Sequence, residues 1–425
     1  MNEYTPPQTS PLSIAHFSWE FPPLIWGGLG TFALEMTQQQ RFLGHNVSVY
    51  SFNEHNKLNT EDNWNGIMVY RPKSLDLFNP LLLCANEDLH NWGNHFSFFS
   101  DVFSYNMMSA YQLTSRCNGG TPKHYDLIDA HDWLGIIGGM MVKESTQLPL
   151  IFHVHSTEQG RSLGGGSPTI IDIEKQGGKT ADAVITVSYA MREELKHLGF
   201  PEEKIYVCWN GIDPSKYDPS KFSSEEKNQL RHRYGINNDE IMLFFIGRLV
   251  TVKGVDQLVD AMPSVIEEYP KLKLVILGVG DLEDSIRRKI HEYHLDDHIT
   301  IRPEFVPEHE RILHYAASDL VVLPSLYEPF GIVCTEAMSM AKPVIVGAHG
   351  INGMREQIIS SGPDQSGVHI NPNNPDDIAW GIKLLMQQQP EWQRIGSNGR
   401  KRVIEQFSWR TIAQRTIDIY RSILS

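Results

Sequence analysis

Short apolar runs alternate with stretches of helical spacing along most of this chain of 425 residues, and the alternation is interrupted once. Leu12 to Ser18 reads as a buried strand. Pro22, Pro23, Gly27, Gly28 and Gly30 fill the turn after it, Thr31 to Phe42 has helical spacing, Gly44 closes it, and Val47 to Phe52 is the next strand. Strand, glycine loop, helix, strand is the opening of a doubly wound α/β domain. Further apolar runs lie at Ile67 to Tyr70, Leu127 to Ala130, Pro149 to Val154, Ala183 to Val187 and Ile205 to Trp209. Asn91 to Leu113, rich in Phe, Tyr and Met, reads as a long buried helix.

Asn210-Gly211-Ile212-Asp213-Pro214 breaks the pattern, and a polar segment follows from Ser215 to Asn238. Strands then recur at Ile241 to Ile246, Leu272 to Leu277, Ile299 to Ile301, Leu320 to Leu323, Pro343 to Val346 and Val368 to Ile370. Trp392 to Leu424 reads as helical, with a break near Phe407-Ser408-Trp409. Two such alternations, each about 200 residues long, predict two doubly wound Rossmann-like domains facing a cleft. The boundaries expected are 1–213, 214–406 and a terminal helical piece over 407–425.

Composition narrows the class of partner. Lys and Arg number 37 against 51 Asp and Glu, a net charge of −14. Such a surface argues against nucleic acid as a partner, yet a local group of cations can still hold a small phosphate. No apolar stretch reaches the ~18 residues of a membrane span, so no integral membrane anchor is expected. Met1 to Ser10 is polar and lacks the basic start and apolar core of a signal peptide. The cysteines Cys84, Cys117, Cys208 and Cys334 form no C-x-x-C pair and read as free thiols of a cytoplasmic protein.

Four features carry candidate chemistry. Gly27 and Gly28, between the first strand and the first helix, let backbone approach a ligand, and N–H groups at the helix start favour an anion; a plain tight turn fits equally. The spacing is not G-x-G-x-x-G, which disfavours a nicotinamide dinucleotide despite Glu54 near the second strand. Gly247 to Gly254 follows a buried strand and precedes a helix, so Arg248 and Lys253 sit at the carboxyl edge of the second sheet. Two cations at one loop suit a diphosphate; two solvated surface charges are the alternative. After Leu320 to Leu323 comes Glu328-Pro329-Phe330-Gly331-Ile332, with a helix starting near Ile332. Its first N–H groups can meet sugar hydroxyls, and Glu336, little more than a turn into the helix, can accept from a ribose diol or simply complement the helix dipole. Last, His131-Asp132-Trp133 and His153-Val154-His155 stand at strand ends. A period of two puts His153 and His155 on one side of their strand. No H-E-x-x-H occurs, and a metal site is poorly supported.

Taken together, F-P-P-x-x-W-G-G-L-G, D-A-H-D-W, H-V-H-S, A-D-A-V-I-T-V-S, N-G-I-D, G-R-L-V-T-V-K-G and E-P-F-G-I-V-C-T-E-A-M resemble the retaining nucleotide-sugar glycosyltransferases of GT-B fold, the family-four group that includes glycogen synthases. The resemblance runs over nearly the whole chain. It implies that Gly27 and Gly28 approach the donor diphosphate, that Arg248 and Lys253 neutralise it as a leaving group, and that Glu336 holds the ribose. It implies main-chain contacts to the donor sugar from Phe330, Gly331 and Ile332, with Glu328 beside the sugar hydroxyls or anomeric centre. The backbone near Phe305 and Val306 would meet the base. His155 would contact the sugar near its 6-hydroxyl, and Asp132 and Asn210 would line the sugar pocket. The last helix would cross back onto the first domain, and a hinge near Asn210 to Pro214 would let the lobes close. No metal or other cofactor is implied beyond the nucleotide sugar as co-substrate.

The motifs point to a glucosyl unit moved from UDP- or ADP-glucose to a carbohydrate acceptor, as in glycogen and starch synthases. Ile25-Trp26 stands where bacterial starch synthases usually carry Lys-Thr. Transfer to fructose 6-phosphate, as in sucrose-phosphate synthases, is the alternative enzyme reading. Its acceptor phosphate would need cations on the first domain, for which Arg161, Lys175 and Lys179 are the candidates, each equally a solvated loop charge. A non-catalytic nucleotide-sugar-binding protein is the alternative of another class. Oligomeric state is not legible.

Overall fold

The computed structural model of the chain describes residues 10–117 and 124–425. The polar start from Met1 to Thr9, read above as unlike a signal peptide, lies outside them. The chain divides into two compact units. The first holds residues up to Thr186, Leu195–Cys208 and Ile412–Ser425, and the second holds Val187–Glu194 and Trp209–Thr411.

The first unit is an eight-stranded sheet in the order β3-β4-β2-β1-β5-β6-β7-β8. Its strands are β1 Ser13–Phe17, β2 Asn46–Tyr50, β3 Glu61–Trp64, β4 Ile67–Tyr70, β5 Leu127–His131, β6 Leu150–Val154, β7 Ala183–Thr186 and β8 Ile205–Val207. All pairs are parallel except β3 with β4. Every residue of β5 and β6 is buried, as expected of strands covered by helices on both faces. The order reverses between β1 and β5, which makes that crevice the topological switch point where such sheets bind ligands. Register there pairs His16 with Asp129, and one strand further on His131 with His153.

The second unit is a six-stranded parallel sheet in the order β11-β10-β9-β12-β13-β14. Its strands are β9 Ile241–Ile246, β10 Leu272–Leu277, β11 Ile299–Arg302, β12 Leu320–Leu323, β13 Val344–Gly347 and β14 Gly367–Ile370. Leu243, Leu274, Val322 and Ile345 from four of these strands share one core with Val255, Leu258 and Met262 of the helix Val255–Glu268. The switch point lies between β9 and β12. Two α/β units with parallel sheets are what the alternation of apolar runs predicts.

Some local expectations are corrected. The long helix of the first unit spans Phe96–Cys117, not Asn91 to Leu113. Ahead of it, Gly93, at φ +56, sits in a separate turn. The edge strand Glu61–Trp64 went unread because Glu-Asp-Asn-Trp carries no apolar alternation. The polar segment after Pro214 contains the helix Ser224–Arg233, started by a reciprocal capping box between Ser223 and Glu226. Residues 187–194 join the second unit, where Glu356 accepts hydrogen bonds from the N–H groups of Tyr189 (3.0 Å) and Ala190 (2.8 Å). The final helix, Trp409–Leu424, joins the first unit from Ile412 onward, and its Tyr420 donates a hydrogen bond to Asp129 of β5. Among the described residues, no helix is long and apolar enough to cross a membrane.

Candidate active site

In the second unit the two loops flanking the switch point meet. Lys253 ends a short turn after β9, and Glu328 lies in the loop after β12. Lys253 Nζ donates to Glu328 Oε2 at 2.5 Å, and Ser325 Oγ lies 3.4 Å from the same oxygen. Gly254 follows Lys253 at φ +66, and a Cβ there would stand 1.9 Å from the Pro324 carbonyl oxygen. Only glycine lets the β9 loop press against the β12 loop this closely. Glu328 is held in turn by its backbone, which bridges Asn352. Arg248, on the same loop as Lys253, is exposed and pairs with no carboxylate among the described residues.

Beside Glu328, Phe330 is buried, and Gly331, at φ +89, begins the helix Ile332–Ser339. A Cβ on Gly331 would meet Met354 Cγ at 2.5 Å. The N–H groups of Ile332 and Val333, the first of that helix, have no intrahelical acceptor, while that of Cys334 bonds the Gly331 carbonyl at 3.0 Å. Glu336, in the same helix, is buried. Its Oε1 accepts from the Tyr217 hydroxyl at 2.5 Å and its Oε2 from the Tyr315 hydroxyl at 2.7 Å, with Arg311 Nη2 3.4 Å from Oε1. Burial, with the Glu336 charge alongside, pushes both phenols far up, so they stay neutral donors. A carboxylate offers about four lone-pair sites, so Glu336 keeps capacity for further hydroxyl donors. Asn210 is buried, and its Oδ1 has no hydrogen-bond partner among the described residues, an unmet acceptor of the kind that a ligand satisfies. Phe305 is 91% exposed while its neighbour Val306 is buried.

In the first unit, Gly27 and Gly28 are open to solvent at the start of the helix Gly28–Phe42. Glu20 already occupies part of this loop: its Oε2 accepts from the N–H groups of Trp26 (2.9 Å) and Gly27 (3.0 Å). The loop is thus an anion receptor filled by a carboxylate of the chain itself.

The histidines at the strand ends form one buried system. His16 Nε2 is 2.7 Å from Gln40 Oε1, His16 Nδ1 is 3.0 Å from His131 Nε2, and His131 Nδ1 is 3.1 Å from His155 Nε2. The His153 and His155 rings stack 4.6 Å apart and 2° from parallel, as a period of two requires. Burial lowers the pKa of His16 and His155 and brings that of His131 down to about 3. Burial alone would raise the Asp129 carboxyl; the surrounding His131, His153 and His16 hold it below the usual range. Asp132 adopts φ +51, uncommon for a residue with a side chain, and its Oδ1 accepts from the N–H groups of His155 (2.7 Å) and Ser156 (3.4 Å). Burial raises the Asp132 carboxyl, with Arg161 opposing. Donor atoms of His131, His153 and His155 lie within 4.8 Å of one another, as do those of His16, Asp129 and His131. Both ring nitrogens of His131 and of His16 are already used in hydrogen bonds, which a metal would have to break.

Arg161 is not a free cation. It lies 3.1 Å from Glu158 and 3.7 Å from the buried Glu174, whose carboxyl burial pushes up to about 8. Lys175 and Lys179 make no ion pair among the described residues. A separate cavity of about 450 Å³ in the first unit is lined by Trp19, Trp26, Phe52 and Phe98 with the carboxylates Glu54, Asp76 and Asp101. His16, Gln40, Tyr420, Glu20, Tyr217, Tyr315 and Arg311 went unread in the sequence, because none stands in a motif with the residue it touches; Asp129 stands in D-A-H-D-W, but the motif gives it no role.

The chain is similar to known proteins over nearly its full length. Residues 226–402 match the family model described as glycosyl transferases group 1, and residues 26–216 match that of glycosyltransferase family 4. The chain is 33% identical over 414 residues to an uncharacterized glycosyltransferase of Methanocaldococcus jannaschii, covering 96% of this chain and 98% of that protein. It is 26% identical over 426 residues to a glycogen synthase of Mycobacterium tuberculosis, covering 96% and 94%. A sucrose-phosphate synthase from Thermosynechococcus elongatus superposes with a TM-score of 0.75 at 21% identity, covering 97% and 99%. Two parallel-sheet units, paired charges at a switch point and these likenesses over nearly the full length make the chain a member of the GT-B glycosyltransferases, in the family-four group.

Proposed function

We propose that the chain is a retaining hexosyltransferase that moves a glucosyl unit from UDP- or ADP-glucose to a neutral carbohydrate acceptor, as glycogen and starch synthases do. The observation that carries this reading is the contact of Lys253 with Glu328 at the carboxyl ends of β9 and β12, with Arg248 unpaired on the same loop. Cations are concentrated at the switch point of a chain whose net charge is −14.

Breaking the sugar–phosphate bond leaves positive character on the sugar and negative charge on the diphosphate. Lys253 and Arg248, fixed before the reaction, stabilise that charge where it develops, together with the N–H groups at the start of the helix Ile332–Ser339. The acceptor oxygen attacks the anomeric carbon on the face that the diphosphate leaves, and its proton passes to the departing phosphate oxygen. Glu328 then acts on the sugar hydroxyls or the anomeric centre, Glu336 on the ribose, and no metal is required. Arg161, one of the three cations an acceptor phosphate could use, is already paired with Glu158 at 3.1 Å. The aromatic and acidic lining around Trp26 suits the faces and hydroxyls of a neutral sugar.

The test is a screen of UDP-, ADP- and GDP-glucose against glycogen and fructose 6-phosphate, with the product anomer read by NMR. An α-linked glucan extended from UDP- or ADP-glucose is expected. Transfer to fructose 6-phosphate alone would remove the acceptor assignment, and a β-linked product would remove retention. Tight donor binding without any transfer or donor hydrolysis would leave a binding protein.

A further inference from the structure

The hydrogen bonds around His155 have a definite sense, which can be followed from the last helix of the chain. Asp129 is a buried carboxylate and can only accept. The single hydroxyl proton of Tyr420 therefore goes to Asp129 Oδ2. The Tyr420 oxygen must then accept at its other contact, 3.4 Å away, so the Gln40 group facing it is the amide Nε2. That orients Gln40 Oε1 toward His16 Nε2 at 2.7 Å, and an amide oxygen accepts only, so the His16 proton is on Nε2.

Burial keeps His16, His131 and His155 neutral near pH 7. A neutral imidazole has one N–H and one bare nitrogen. With its proton on Nε2, His16 offers a bare Nδ1, so His131 Nε2 must be the donor across the 3.0 Å contact. His131 Nδ1 is then bare, and His155 Nε2 must donate to it at 3.1 Å. Asp129 Oδ2 lies 3.7 Å from the bare His16 Nδ1 and 3.8 Å from His131 Nε2, beyond hydrogen-bond reach of either, so the assignment rests on the Tyr420–Gln40–His16 contacts. What is left is His155 Nδ1, which has no hydrogen-bond partner among the described residues, on a half-buried side chain packed against the rings of Phe32 and His153.

We infer that Tyr420 and Gln40 are positioning residues which, through His16 and His131, hold His155 in its Nε2–H tautomer, so that His155 Nδ1 takes a hydrogen bond from a substrate hydroxyl. The substrate group that meets His155 is therefore a hydrogen-bond donor. A carboxylate or phosphate in its place would face a bare lone pair and be rejected. Naming that group a sugar hydroxyl rests on the function proposed above; the tautomer does not. Asp132 complements the chain by fixing the His155 backbone N–H at 2.7 Å, so ring and main chain are located by different residues.

The test reads the protonated nitrogen directly, by long-range nitrogen–proton NMR of the full chain with isotope-labelled histidine at neutral pH, assigned by a His155→Asn variant. The wild-type chain should show His155 with its proton on Nε2 and a bare Nδ1. A proton on Nδ1, or an imidazolium, would overturn the inference. Tyr420→Phe removes the group that orients Gln40; it should bring up the Nδ1–H form of His155 while β-sheet circular dichroism is unchanged. An unchanged His155 tautomer in a folded Tyr420→Phe protein would remove Tyr420 from the relay. If that variant does not fold, Gln40→Met gives the same readout at the next link. In transfer assays Tyr420→Phe should lower kcat/KM about tenfold, the factor of one lost hydrogen bond. A correct tautomer in a protein that transfers no sugar would leave this inference standing and overturn the proposed function alone.

Discussion

Lys253 Nζ and Glu328 Oε2 are 2.5 Å apart, joining the loop after β9 to the loop after β12 across the switch point of the second sheet. The pair is largely buried, with side-chain accessibilities of 22% and 11%, so removing Lys253 leaves the Glu328 carboxylate short of a partner at a cost of ~1–3 kcal/mol. Its chemical consequence is larger. Lys253→Ala should lower kcat by about 10²–10³, the usual effect of removing one fixed charge-stabilising donor, far more than the modest fall in urea midpoint accounts for. Steady-state rates with a nucleotide glucose and glycogen check it. Turnover within about twofold of wild type would remove Lys253 from leaving-group stabilisation.

Gly254 is the reason the two loops can touch. Alanine there would adopt a left-handed conformation costing ~1–2 kcal/mol and would place its Cβ against the Pro324 carbonyl oxygen. Gly254→Ala should therefore be destabilised and lose activity together. Denaturant unfolding and kcat measured on one preparation test this, and activity retained in a stable variant would show that the loops need not be this close.

Glu336 is held by two tyrosine hydroxyls that give it a single orientation. Tyr315→Phe leaves Glu336 Oε2 without its 2.7 Å donor in a buried position, which costs ~1–3 kcal/mol. If Glu336 holds the ribose as proposed, KM for the nucleotide sugar should rise more than kcat falls, because that contact rather than the leaving group is disturbed. Equal falls in kcat and kcat/KM would place the effect on the transition state instead.

The buried histidines make stability depend on pH in one direction. His131 has a pKa of about 3 in the folded chain against 6.5 when unfolded, and those of His16 and His155 are also lowered. Below pH 6.5 the unfolded chain takes up protons that the folded chain refuses, so stability is full above that pH and is lost as pH falls from about 6.5 toward 3. At pH 5 the loss from His131 alone is ~2 kcal/mol. Urea midpoints at pH 7.5, 6 and 5 measure it, and His131→Asn should flatten the slope. Glu174, whose carboxyl burial pushes up to about 8, acts in the opposite direction over this range, so the reading is the difference between the two proteins: a His131→Asn slope equal to that of wild type would contradict the neutral assignment.

Trp26 is 54% exposed at the aromatic cavity of the first unit. Trp26→Ala should raise KM for a glycan acceptor about tenfold, as loss of one aromatic sugar platform of ~1.4 kcal/mol does, while donor hydrolysis in the absence of acceptor is unchanged. A matching fall in donor hydrolysis would move Trp26 from acceptor binding to the reacting centre.

Local patterns in the sequence determined a good deal of this protein. Apolar runs such as Ile241 to Ile246 and Leu320 to Leu323 are strands at the positions read, because a strand buried on both faces must be a continuous apolar run. The residues after those runs, Lys253 and Glu328, could be assigned to the carboxyl edge of a sheet for the same reason. The stacking of His153 on His155 follows from a period of two. Strand order is different: it is not a local property, and neighbours in the sheet are chosen by the packing of whole units. That order puts His16 of β1 opposite Asp129 of β5, and helix packing brings Gln40 within 3.4 Å of Tyr420, 380 residues away. The same holds for Glu20 on the glycine loop and for Tyr217 and Tyr315 on Glu336. The sequence by itself determined which residue types stand at the ends of the strands. Only the tertiary structure decided which of them are paired, which are buried and neutral, and which, like Arg248 and His155 Nδ1, have no hydrogen-bond or ion-pair partner among the described residues, because burial and pairing arise when distant segments exclude water together.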